Sequence, residues 1–256
     1  MGEAGGGPEL AGLRAACAAA ARGLVRAKPD LIAVVGSAPS SQTYPWPSTG
    51  SLHSYGIPWS TGPGHPVLPL SLTAGTWLLM EALDAAGIPV PGVICDADGV
   101  DVMGAVGVTD GAGVAGGPAA TLTAVADGAE PAECRRLGQS LAGAAARVGL
   151  LVMGDGSAKK AIGVPGAPDP EAEEYDAGIA AALGAADAAA LARLDPDRAA
   201  ELRVTGRAPW QVLAGAAAGT PGLRGRLRLQ TAPYDVSYLV ASWAAGPGAA
   251  AALGPP

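Results

Sequence analysis

The chain reads as a single α/β domain of three layers, with a central mostly parallel or mixed sheet and helices on both faces. Three observations predict it. Short, wholly apolar runs at 31–35 and 148–153 suit strands buried on both sides. Alanine-rich stretches of helical spacing alternate with them. The length, 256 residues, is enough for one full core.

Taken in order, residues 8–27 carry Leu10, Leu13, Cys17, Leu24 and Val25 at spacings that offer a helix a buried stripe, and Pro29 with Asp30 ends it. Residues 31–35 form a buried strand bounded by Gly36 and Ser37. Residues 38–69 make a long loop rich in Ser, Pro and Gly, with Tyr44, Trp46, Tyr55, Trp59 and both histidines, His53 and His65. Loops this long are functional or disordered, and the aromatic content favours order. A helix follows over 71–86, with Gly87 as its stop and Pro89 beyond. A short strand is expected at 90–95, an irregular glycine-rich excursion at 96–119 and a strand at 121–126. The helix at 131–146 opens beside Glu130 and Glu133, which suit its positive end. After the strand at 148–153, residues 169–194 give one or two helices with a break near Gly184, and 196–205 and 209–218 give two more. Strands at 226–229 and 238–242 close a domain spanning 8–243. The Ala/Gly/Pro tail, 244–256, is expected to fray.

Composition narrows the function. A net charge of −7 without a basic stripe argues against nucleic acid. No apolar stretch is long enough for a membrane span, and residues 1–7 lack the basic and apolar regions of a signal peptide. The cysteines Cys17, Cys95 and Cys134 fit neither a zinc pattern nor a disulfide framework, so reduced cytoplasmic thiols are expected. Three lysines beside thirteen arginines, and no Phe, suggest a GC-rich coding sequence. A small-molecule ligand is the expected partner, and a homo-oligomer is compatible with the sequence.

Several motifs have bland readings. Residues 111–116 match G-x-G-x-x-G in letters, but a strand-like run follows where the dinucleotide motif needs a helix, which makes a structural loop the expectation. Asp96, Asp98 and Asp101 form an acidic turn without the glycine and glutamate of a calcium loop. The turn Gly154-Asp155-Gly156-Ser157-Ala158-Lys159-Lys160 lacks P-loop spacing, and Ser157 is not in a nucleophile elbow. It nevertheless ends an apolar strand, where open α/β sheets place ligands. Asp155 and Ser157 are therefore the candidate catalytic residues, with Ser37 nearby. A hydrolase built on Ser157 is a weaker option. His53 and His65 are the candidate metal ligands; a ferrous facial triad, two histidines and a carboxylate, would need both.

Segments 33–36, 68–75, 132–138, 151–160, 206–215 and 232–238 together resemble class III extradiol ring-cleavage dioxygenases of the LigB type, in the right order and over most of the chain. The resemblance implies a non-haem Fe(II) site at which the metal acidifies a catecholic diol and holds dioxygen, while a histidine moves protons. Carried over residue by residue, it meets mostly substitutions. Ser37-Ala38-Pro39-Ser40 stands where the second metal histidine would follow Val35, and Ala158 stands at the acid/base histidine. The family's first strand, with its metal histidine, would precede the present start, and a start codon assigned too late is one explanation. Tyr234 and Asp235 lie only in the general region of the late glutamate. The expectation is a dioxygenase-like protein with a degenerate site, or a non-enzymatic binding or scaffold protein on the same fold.

Overall fold

Five successive apolar side chains, Leu31 to Val35, begin the strand at the centre of the main sheet. The computed structural model describes residues 8–62, 64–90, 94–95, 117–158, 169–233 and 236–246. The glycine fingerprint at 111–116, the acidic turn at 96–101, Lys159, Lys160, Tyr234, Asp235 and residues 247–256 lie outside them.

Strand β1 (Leu31–Ala38) pairs in parallel with β6 (Ala119–Ala126) on one side and β7 (Val148–Met153) on the other. The short β2 (Gln42–Tyr44) runs antiparallel to β6, so the sheet is mixed, in the order β2-β6-β1-β7. Side chains alternate across the pleat. Ile32 and Val34 face α1 (Pro8–Arg26) and α2 (Leu70–Asp84), whereas Val35 meets Cys134 of α3 (Pro131–Ala142) and Val212 of α7 (Arg207–Ala217). Helices on both faces make the three-layer α/β domain that the alternation of runs predicts.

The long loop after β1 is an ordered knob. Two-residue strands β3 (Gly50–Ser51) and β4 (Ser60–Thr61) pair with each other, and β4 pairs with β5 (Ile94–Cys95). A 3-10 turn (His53–Tyr55) caps the β3–β4 hairpin. The backbone N–H groups of Val67 and Leu68 donate to Thr49 O, at 2.8 and 3.1 Å, and tie the end of the loop to its start. Elements of two residues carry no periodicity, so only a loop was legible there.

The C-terminal third forms a second cluster. Helices α4 (Pro170–Ala185), α5 (Ala188–Ala192) and α6 (Pro196–Glu201) each open on an aspartate that accepts backbone N–H bonds: Asp169, Asp187 and Asp195. The break between α4 and α5 falls at Ala186, in the left-handed region, close to the expected Gly184. The hairpin of β8 (Arg224–Thr231) and β9 (Tyr238–Ala244) packs on α4, with Trp243 Nε1 donating to Leu183 O. Among the described residues, no helix is long and apolar enough to cross a membrane.

Candidate functional site

Strands β1 and β6 finish level, and β7 ends two residues short of them. Gly36 lies opposite both Ala124 and Met153, and Ala38 opposite Ala126. The chain leaves β1 for α2 on one face and leaves β6 for α3 on the other. Such a divergence is where open α/β sheets bind their ligands. At this edge stand Asp127 after β6, Ser37 near the end of β1 and Asp155 after β7. The carboxylate-bearing strands are two spacings apart, about 10 Å between backbones, with the end of β1 between them.

Asp127 and Asp155 both have much of their surface open to solvent. The protein around each carboxyl still strips enough water to push its pKa above the ordinary carboxylate value. The guanidinium of Arg207 partly opposes that shift at Asp127. Tyr238, the first residue of β9, has its phenol pushed up by burial and further by the negative charge of Asp155. Asp155 and Tyr238 are thus electrostatic neighbours across two elements.

Ser157 has a different environment. Its side chain is inaccessible to solvent, its Oγ donates to Leu202 O at 2.7 Å, and its N–H donates to Asp176 Oδ1 at 2.9 Å. A phosphate cradle would need that N–H, and a nucleophile would need that hydroxyl. The flanking glycines are explained by close packing. A Cβ on Gly154 would lie 2.6 Å from Gly206 Cα, and one on Gly156 would lie 3.0 Å from both Asp176 Oδ1 and Ser237 Cβ. Gly206 N–H donates to Asp155 O at 3.0 Å. The turn is fastened to α4, α7 and the approach to β9, and Asp155 is left as its outward side chain.

Beneath the edge lies a buried cation. Arg207, 2% exposed, donates to Ala129 O, Asp127 O and Gln211 Oε1. Gln211 in turn donates to Ala192 O and Leu194 O, at 3.3 and 2.8 Å. This hub joins the β6–α3 turn, the start of α7 and the end of α5.

The histidines lie in the knob, both exposed. His53 Nδ1 shares a 2.8 Å hydrogen bond with Ser51 Oγ. Among the described residues, no three His, Cys, Asp or Glu side chains are grouped to hold a metal. As placed, those residues do not make up a ferrous facial triad. Sequence reasoning found Asp155 but missed Asp127 and Tyr238. Asp127 follows an apolar strand just as Asp155 does, and that shared position was the available signal. Compared with known proteins, the chain matches no family model, and no curated protein shows significant similarity to it.

Proposed function

We propose that this protein binds a small hydroxylated aromatic molecule at the C-terminal edge of its sheet, on a scaffold of the LigB type, and does so in the cytoplasm. The observation that carries the reading is the pair of open, partly desolvated carboxyls, Asp127 and Asp155, flanking the end of β1. A carboxylate short of water is a strong acceptor for a phenolic O–H, and the two carboxyl-bearing turns follow strands about 10 Å apart. Tyr238, whose phenol senses the charge of Asp155, is the aromatic residue that adjoins the turn after β7. The wide spacing and odd number of the cysteines, which suit no disulfide framework, favour a reducing compartment.

Calorimetric titration with catechol tests the reading. Saturable binding to the wild type is expected, weakened about tenfold or more in Asp155→Asn, because a charge-assisted hydrogen bond is lost. No binding, or equal binding by the variant, would refute it.

A second reading keeps Fe(II) ring cleavage, with His53 and His65 recruited to the metal. The Ser51 bond engages one ring nitrogen of His53, an arrangement that ligating imidazoles use to orient the other. Iron analysis of protein purified without oxygen separates the two. Stoichiometric iron that disappears in His53→Ala and His65→Ala favours the dioxygenase. Iron-free protein that still binds catechol favours simple binding.

A further inference from the structure

The hairpin of β8 and β9 has two unlike faces. Leu239, Ala241 and Trp243 alternate along β9 and pack on the cluster that α4 helps to build. Ser242, between two of them, turns the other way, and two arginines converge on it. Arg226 is its partner across the ladder. Arg228 stands at a β-bulge between Leu227 and Leu229, an irregularity that re-aims side chains, and its Nε donates to Ser242 Oγ at 2.6 Å. A third cation comes from another part of the chain. Helix α1 packs against both strands of the hairpin, and Arg22 and Arg26 stand exposed near its end. Burial, and then the like charges of Arg226 and Arg26, push the Arg228 guanidinium below its ordinary value. No Asp or Glu occurs from Leu10 to the end of α1, in β8 or in β9, although the chain carries a net charge of −7.

We propose that Arg226, Arg228 and Arg26 form a binding site for a phosphate group, carried either by the free ion or by a small phosphate monoester. Like charges held together in a partly desolvated place repel one another, and an anion between them turns that repulsion into attraction. Each guanidinium offers a planar fork of N–H donors that fits phosphate oxygens. A phosphate group brings about −1.5 to −2 charges and three acceptor oxygens, whereas a carboxylate brings one charge and two oxygens, so a cluster of three cations favours phosphate. Ser242 positions the site. Its hydroxyl accepts from Arg228 Nε and keeps its own proton to donate to an anion oxygen. A nucleic acid is a poorer ligand, because the arginines form a compact cluster rather than a track and the net charge of the chain repels a polyanion. Helix α1 ends where β1 begins, so Arg26 lies at the other end of the sheet from Asp127 and Asp155. The site is independent of the function proposed for those carboxyls.

The test is calorimetric titration of the full chain with inorganic phosphate and with methyl phosphate, at an ionic strength held constant with sodium chloride. Saturable binding of one phosphate per chain is expected. Tighter binding of the ion points to free phosphate and tighter binding of the ester to a phosphorylated metabolite; either supports the site. Arg226→Gln should weaken binding about tenfold or more, because charge-assisted hydrogen bonds are lost. Arg226→Lys should recover only part of that loss, since it restores the charge without the fork. Arg26→Gln, at an exposed helical position, should keep the thermal melt and weaken binding about threefold, and serves if the hairpin variants fail to fold. Asp155→Asn should bind phosphate as the wild type does; a loss there would place the anion elsewhere. No saturable binding, binding unchanged in folded Arg226→Gln and Arg26→Gln, acetate that binds as well as phosphate, or a single-stranded oligonucleotide that binds more tightly than either phosphate would each overturn the proposal.

Discussion

The turn after β7 and the knob between β2 and α2 are both connections of the main sheet, and they solve opposite problems. The turn uses its glycines for close approach. Its serine is sealed by two hydrogen bonds, and one carboxyl is left facing outward. The knob holds itself together through its own backbone and turns Tyr55, Ile57 and Val67 to solvent. Small residues and polar anchors bind a segment into the domain, whereas large apolar residues without charges make it a surface.

Substitutions can break or sharpen this contrast. The largest effect is expected at the hub that supports the turn. Arg207→Met should lower stability by about 3 kcal/mol or more in chemical denaturation, because buried carbonyl and amide acceptors lose their donor. Ser157→Ala keeps the backbone bond to Asp176 and loses the bond to Leu202 O, for about 1–2 kcal/mol. If it costs nothing, the turn is not fastened as described.

The smallest effect belongs to Asp155 and has a sign. Its carboxyl pKa is raised in the folded state by lost hydration, so its ionised form opposes folding. That penalty is full above the raised folded value and vanishes as pH falls towards the unfolded value near 3.8. Because the side chain is open to solvent, the effect should stay well under about 1 kcal/mol. Asp155→Asn should therefore gain slightly on the wild type at neutral pH and lose that advantage on acidification, as paired melting curves would read. An advantage that grows with acid would reverse the assignment.

Much of the fold was legible because strands such as 31–35 and 148–153 are apolar without interruption, and because Asp169 and Asp195, each followed by proline, announce helix starts. The knob was legible only as an ordered loop, since its two-residue strands are set by pairing of β4 with β3 and with the distant β5 and not by local pattern. Of the candidate site, Asp155 could be read from its place after a strand. The enclosure of Ser157 could not, because Asp176 and Leu202 are 19 and 45 residues away. Nor could the coupling of Asp155 to Tyr238, which depends on how the hairpin lies beside the turn.

Gln211 imposes one more condition on the molecule. Its side chain accepts from a cation with one atom and gives protons to two carbonyls with the other, a two-sidedness that only an amide supplies at that size. A glutamate there would satisfy Arg207 and turn a lone pair towards Ala192 O and Leu194 O; a methionine would satisfy neither. The end of α5 is thus held to the root of α7 by the polarity of a single neutral group, and its chemical identity matters more than its shape.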